Sequence, residues 1–357
     1  MLNITYIVGN GYDIGLGLDT SFKSFIQKYK IVAPEDSSAV KNLKHDISHN
    51  VDTWADAEMA FAAVQFSNYG TDAKGVVIDC WHDFCRRLNG YLQACEQRFS
   101  LPEDEACLCQ LRKNFARYIF DFFLADGEYC SPWMMNEKQG DATIRVINLN
   151  YTRTFDVLLP SGPVDFVDPD RVFHKLFFEE VCHLHGDLSR RAGQPPAFGV
   201  SQPSQVKDNE VRRLAEDFGY LVKPRLDEEF SYCKYATAQK IIEDSDCYVF
   251  FGVSFGESDA WLWNAIARSL VDHPRRKAYL SAYFDIHDEH DIPDDWSDRV
   301  QDPFWSYVEP FGSMSMMGDL DDQIFPTGVG PFVDPDGQSR FFDPLRLSWL
   351  KRVVTKG

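Results

Sequence analysis

Tyr6-Ile7-Val8-Gly9-Asn10-Gly11-Tyr12-Asp13 is the stretch on which the fold turns. The apolar run of residues 4–8 passes straight into a glycine pair and a carboxylate, then Gly15 and Gly17, then apolar residues at helical spacing, Phe22, Phe25, Ile26 and Tyr29. Strand, tight turn and helix in that order make a βα unit. At the carboxyl end of such a strand, helix N-terminal amides face the crevice in which open α/β sheets hold nucleotides. The stretch therefore predicts a nucleotide pocket in an α/β protein. Its spacing is neither the G-x-G-x-x-G dinucleotide fingerprint nor a lysine-bearing phosphate loop, so the motif alone names no ligand.

Working outward, residues 142–149 read as a second strand that ends in Asn150-Tyr151-Thr152, with Thr152 or Thr154 placed to cap a following helix. Residues 179–184 read as a short strand ending in His183-Leu184-His185-Gly186-Asp187. The clearest buried strand is Cys-Tyr-Val-Phe-Phe at 247–251, continuous and β-prone as parallel strands covered on both faces are. It opens into Gly252-Val253-Ser254-Phe255-Gly256-Glu257-Ser258-Asp259 and a helix through Trp261, Leu262, Ala265 and Ile266, after which 278–284 is a further strand. Residues 35–50 read as a loop or short helix. Three amphipathic helices follow, on Ala55/Met59/Ala62/Phe66, on Val77/Trp81/Phe84/Leu88/Leu92/Cys95 and on Leu111/Phe115/Tyr118/Phe122. Residues 205–245 are helical in pattern. The organisation expected is a nucleotide-binding core of 1–34 and 141–290, a helical insertion at 35–140, and an irregular C-terminal extension at 291–357, rich in Gly, Pro, Phe and Met, that is a candidate interface.

Composition limits the function classes. A chain of 357 residues, 44% hydrophobic and 25% charged, can bury a full core. A net charge of −19 works against direct nucleic-acid binding, which needs clustered Lys and Arg. No run of about eighteen apolar residues is present and the start lacks a basic segment, so neither a membrane span nor a signal peptide is expected and a cytoplasmic location is. The nine cysteines are scattered, odd in number and without a C-x-x-C pair, which predicts neither a disulfide framework nor structural zinc. The 28 phenylalanines predict aromatic-rich packing.

Four polar loops thus stand where strands end: Gly9 to Asp13, Asn150 to Thr152, His183 to Asp187, and Gly252 to Asp259. In a parallel sheet these ends open on one edge, so residues far apart in sequence meet in one crevice. Each also has a plain structural alternative. Gly9 and Gly11 can serve a tight turn, Asn150 its own loop, His185 the core, and Ser254 and Asp259 a helix N-terminus. His183 and His185, two apart on a strand, would share a face as a metal pair with His174 as a third ligand, although no carboxylate or cysteine completes the set and no metal is expected. Gly252-Val253-Ser254-Phe255-Gly256 fits the G-x-S-x-G nucleophile elbow in the right strand-to-helix context, but the downstream His273, His287 and His290 stand in charged surroundings.

The set Gly9-Asn10-Gly11-Tyr12-Asp13, Trp54-Ala55-Asp56-Ala57-Glu58, Asn150-Tyr151-Thr152, His183-Leu184-His185-Gly186 and Phe251 to Asp259 resembles the AbiH family of bacterial phage abortive-infection proteins, over roughly residues 3 to 270. That family in turn resembles the sirtuin-like superfamily, which implies a Rossmann-like parallel sheet that binds NAD. The resemblance implies that Gly9, Asn10 and Gly11 lie on the pyrophosphate, that Asn150 and His185 act at the nicotinamide ribose, and that Gly252 and Ser254 meet the adenosine half; Thr152 and Asp259 are further candidate cofactor-binding residues. Thr152 stands where relatives often carry an aspartate, and the zinc module of the deacylases is missing. The function implied is an antiphage effector that hydrolyses NAD+ as its substrate, an NAD+ glycohydrolase, acting as a homo-oligomer or with a defence-system partner. The alternative is a non-catalytic NAD or ADP-ribose sensor. Cleavage of the nicotinamide–ribose bond builds an oxocarbenium-like centre, for which Asn150 would orient water or a ribose hydroxyl, His185 take the proton and Asp13 steer the carboxamide or offset positive charge at the sugar.

Overall fold

The computed structural model describes residues 2–99, 142–158, 162–164, 176–188, 197–229, 234–281, 296–311, 323–327, 331–333 and 339–341. Strand β1 (Leu2–Val8) is buried along nearly its whole length, as its mostly apolar and β-branched composition dictates, with Thr5 bonded to the Ser245 hydroxyl. It pairs in parallel with β2 (Ala142–Asn148) on one side, Ile4 opposite Ile144, and with β6 (Cys247–Phe251) on the other, Ile4 opposite Cys247. Outside β2 lie β4 (Leu176–Phe178) and, antiparallel to it, β3 (Gly162–Val164); β5 (Cys182–His183) pairs with the last two residues of β2. Outside β6 lie β7 (Lys277–Ser281) and β8 (Ile324–Thr327), both parallel. The sheet order is β3-β4-β2-β1-β6-β7-β8. The chain therefore builds outward from β1 in one direction, then returns and builds outward from β6 in the other. At such a reversal the loops leaving two adjacent strands part and open a crevice.

Helices α1 (Gly11–Gly15), α2 (Phe22–Tyr29), α3 (Ser38–His49), α4 (Ala57–Ala63) and α5 (Ala73–Glu96) follow β1. They form a helical layer with α6 (Thr154–Leu158) at its border and α7 (Asn209–Phe218) and α8 (Lys223–Glu229) completing it. Its core contains no residue of a described strand: Phe84 of α5 sits at the centre, its ring 4.7 to 5.5 Å from those of Phe198, Tyr29, Phe25 and Phe61. The aromatic packing expected from composition is thus present. Helix α3 is a full element where only a loop or short helix is expected. Ser37 caps it, and its inner face is Val40, Leu43, Ile47 and Lys44, whose buried ammonium lies 2.7 Å from buried Asp36. A lysine on the inner face hides the apolar period. The helix expected on Ala55 to Phe66 is shorter, Ala57–Ala63, flanked by single 3-10 turns, and the one expected on Leu111 to Phe122 lies outside the described residues.

A second core packs α9 (Lys234–Glu243), α10 (Ala260–Asp272) and α11 (Trp296–Val308) against a sheet face through Tyr248, Phe250, Trp263, Phe304 and Leu280. The segment 291–357, set apart by its composition, contributes α11 and the outer strand β8. Gln323 anchors that strand by donating its amide to the carbonyls of Leu270, His273 and Arg276. A separate hairpin, β9 (Pro331–Val333) with β10 (Ser339–Phe341), follows.

At the reversal the loops after β1 and β6 touch backbone to backbone. The N–H of Gly9 donates to the Phe251 carbonyl and that of Gly11 to the Gly252 carbonyl, each at 2.9 Å. A Cβ on Gly9 would stand 2.4 Å from the Gly252 oxygen, one on Gly11 2.6 Å from the Gly252 Cα, and one on Gly252 2.6 Å from the Tyr12 nitrogen. Gly252 also holds φ at +65°, a left-handed conformation that disfavours any side chain. The glycine pair is there for close approach rather than for its own turn. Gly9→Ala should lower stability by about 1–3 kcal/mol through overpacking, whereas Gly90→Ala, on the exposed side of α5 with nothing within 4 Å of the new methyl, should raise it by about 0.5–1 kcal/mol; urea denaturation of the two variants tests the contrast.

Candidate functional site

The crevice is a cleft of about 600 Å³ lined from all four strand-end loops: Gly9 to Asp13 after β1, Leu149 to Thr152 after β2, His185 after β5, and Gly252 to Asp259 after β6. The opposite wall belongs to the helical layer, with Thr20 to Lys23 at the start of α2, Asp56 and Glu58 at the start of α4, and Leu88 and Leu92 of α5. All ten residues singled out as binding or catalytic, from Gly9 to Asp259, line this one cleft.

Their hydrogen bonds divide them. Asp13 is 1% exposed and accepts from the Thr152 hydroxyl on one carboxylate oxygen and from the Thr154 hydroxyl on the other, each at 2.6 Å. The threonines expected to cap a helix are turned onto this carboxylate instead. Burial pushes the Asp13 carboxyl up to about 6, against the lowering by the two hydroxyls. Asn150 donates its side-chain amide to the Gly9 carbonyl at 3.1 Å and so ties the second loop to the first. Asn10 accepts from the Thr20 hydroxyl at 2.6 Å, which fixes the approach to α2. The amides of Gly9 and Gly11 are spent on the fourth loop, so these two do not present free N–H groups to a phosphate.

The two histidines part company. Strand β5 ends at His183, and Gly186, at φ +81°, turns the chain there. His183 contacts the Asn150 carbonyl through Nδ1 at 3.1 Å and Asp156 through Nε2 at 2.8 Å. His185 turns its Nδ1 to the Leu149 carbonyl at 3.2 Å, and its Nε2 lies 2.9 Å from Asp259 Oδ1 but out of line for a directed hydrogen bond. The shared face expected for a metal pair is not formed, because the strand ends at His183, two residues short of His185. Among the described residues no three His, Cys, Asp or Glu side chains converge as a metal site; His174, His287 and His290 lie outside them.

Asp259 stands at the N-terminal boundary of α10 without capping it. It accepts instead from the buried Lys223 ammonium at 2.6 Å, and the same ammonium donates to Glu58 at 2.7 Å. Burial alone would raise the Asp259 carboxyl, yet Lys223 and His185 hold it well below the usual carboxylate range. Burial lifts the Glu58 carboxyl, against the lowering by the Lys223 ammonium beside it. Burial opposes the charge on Lys223, and the two carboxylates overcome it. The cluster Glu58–Lys223–Asp259–His185 fastens the helical layer to the sheet edge beside the cleft. Ser254 is exposed and is not hydrogen-bonded to a described histidine or carboxylate, and the strained positions around it are Gly252 and Phe255, so the elbow reading of this loop loses its geometry.

Lys223 escapes a sequence reading entirely, because its role depends on partners 165 and 36 residues away. Glu58 carries a weak signal as the last residue of the Trp54 to Glu58 motif. Lys223→Met should cost about 3–5 kcal/mol in chemical denaturation, since it leaves buried carboxylates unpaired. For Asp13 the folded-state value lies above that of the unfolded chain, so the native state keeps a proton between about pH 4 and about 6 that the unfolded chain gives up. Its contribution is therefore most favourable below about pH 4 and falls as pH rises through about 6. The stability of Asp13→Asn relative to the parent should rise by about 3 kcal/mol between about pH 4 and about pH 7, read from denaturation curves at both values.

No curated protein matches the chain. The model of the family described as bacteriophage abortive infection AbiH matches residues 5–280, which takes in the four loops, the helical layer and the strands from the second half of β1 through β6. With more than half of its length so matched, the chain belongs to the AbiH family of bacteriophage abortive infection proteins.

Proposed function

We propose that this AbiH protein is a cytoplasmic antiphage effector that binds NAD+ in the cleft and hydrolyses it to nicotinamide and ADP-ribose, as a homo-oligomer or with a defence-system partner. The observation that carries the reading is the meeting of four strand-end loops in one cleft where the sheet order reverses. Counted along the chain with β3 and β5 set aside, the parallel strands lie 3-2-1-4-5-6, the order of Rossmann dinucleotide-binding sheets, which hold their ligand at this point. This supports the Rossmann-like, sirtuin-like expectation, and about 600 Å³ suits a small-molecule ligand.

Within the cleft the chemistry is uneven. Asp56, Glu58 and Asp259 gather at one part of the lining, and Lys23, the one lysine or arginine among its described residues, stands in the first turn of α2. The pyrophosphate belongs near Lys23 and the positive end of α2. The cationic nicotinamide ribose belongs near the carboxylates, which offset the charge of an oxocarbenium-like centre. The Nδ1 of His185 faces the Leu149 carbonyl, which places the neutral ring's proton there, and Nε2, held 2.9 Å from Asp259, takes a second proton from water with that carboxylate beside it. As the water oxygen bonds the anomeric carbon, the carbon–nitrogen bond breaks and its electron pair returns to the nicotinamide ring. Asp259 stabilises the imidazolium formed.

A second reading, a non-catalytic NAD or ADP-ribose sensor, is favoured by one fact: the Asp13 carboxylate and the Asn150 amide are already engaged within the protein. Incubating purified protein, in each assembly state, with NAD+ and following nicotinamide decides between them. Release is expected, slowed about 10²- to 10⁴-fold in His185→Ala. Calorimetric binding without release selects the sensor, and neither release nor binding overturns both.

A further inference from the structure

Helix α11 comes from beyond the matched residues 5–280, yet it reaches the cleft. Its Pro303 lies in the lining, and Tyr307, one turn further along the same side, donates its hydroxyl to the Phe255 carbonyl at 3.3 Å. Phe255 belongs to the loop after β6, lines the cleft, and holds φ at +50°, a left-handed conformation that is unfavourable for a bulky side chain. Such a conformation persists only where its surroundings enforce it. Here the Phe255 ring is boxed by those of Phe250 at 5.2 Å, Trp263 at 5.1 Å and Phe304 at 5.2 Å, and Phe304 is a fully buried residue of α11. The next carbonyl, that of Gly256, accepts from the Trp263 indole at 2.9 Å. The loop is thus held by two consecutive carbonyls and one ring, and α11 supplies a hold of each kind.

We propose that Tyr307 and Phe304 are positioning residues, which act through Phe255 to keep the fourth loop in the form that lines the cleft and so set how tightly the nucleotide is bound. The ligand in this inference rests on the nucleotide reading of the cleft; the hold on the loop does not. Tyr307 serves as a donor because burial, and then the charges of Glu257, Asp259 and Asp56, push its phenol up to about 12. Phe304 serves through ring contact with a residue whose backbone is strained, so the packing energy of the aromatic box offsets the strain. With either hold removed, Phe255 is free to relax to negative φ, which swings the chain on both sides of it. Ser254 and Gly256, the residues on those two sides, both line the cleft.

The test reads the loop and the ligand separately. Full-length parent, Tyr307→Phe and Phe304→Leu are given brief exposure to chymotrypsin without ligand, the cut after Phe255 is followed by mass spectrometry, and each protein is titrated calorimetrically with ADP-ribose. Both variants should be cut after Phe255 several-fold faster than the parent and bind ADP-ribose about 3- to 10-fold more weakly, the range set by loss of one net hydrogen bond. Residues that merely pack α11 onto its core would lower the unfolding temperature and change neither reading. Unchanged cleavage after Phe255 in both variants overturns the inference. Faster cleavage with undiminished affinity overturns its claim on the ligand. Faster cleavage together with a parent that binds no ADP-ribose upholds the hold on the loop and overturns the nucleotide reading instead. Should Phe304→Leu fail to fold, Tyr307→Phe, which deletes one oxygen from a partly buried side chain, decides alone by the same outcomes.

Discussion

The contact of Gly9 and Gly11 with Gly252 is the constraint from which the site follows. Two adjacent parallel strands leave the sheet with their loops pressed together at main-chain distance, and two N–H groups are spent on holding them so. Everything above the sheet edge is referred to that seam. Asn150 adds the second loop by donating to the Gly9 carbonyl, and the Thr152 and Thr154 hydroxyls add it again through Asp13. The outcome is a floor built from three distant parts of the chain with little freedom to spread.

Charge plays the corresponding part for the wall. Burying a lysine is unfavourable unless it is paired, and Lys223 is paired twice, once to the helical layer through Glu58 and once to the sheet edge through Asp259. With His185 neutral the group carries one negative charge in surplus. A proton on the imidazole balances it. The fastening that keeps the wall in place thus also sets the charge around the His185 ring at the cleft.

The parts of this molecule legible in its sequence are those governed by local pattern. Strands β1, β2 and β6 and helix α5 read directly, because uniform burial on a central strand and a long amphipathic period leave little choice. The convergence of the four loops was legible too, since parallel strands put their carboxyl ends on one edge. What escaped depends on partners remote in the chain. Helix α3 hides behind a buried lysine that Asp36 neutralises, and the orientation of Thr152 and Thr154 is decided by a carboxylate about 140 residues earlier. A shared face for His183 and His185 needs an extended chain through both, and the strand stops at His183 because the chain turns between there and Gly186.

The position of β8 has a consequence for how the chain is made. Synthesis delivers β1 first, yet its neighbours β2 and β6 come some 140 and 240 residues later, so the central strand waits for both. When β7 emerges it is in turn an exposed parallel edge, a row of unpaired main-chain groups open to any other strand, until Ile324 to Thr327 arrives to cover it. The match to the family ends at residue 280, before that cover. The last parallel strand is therefore a shield supplied from outside the matched region.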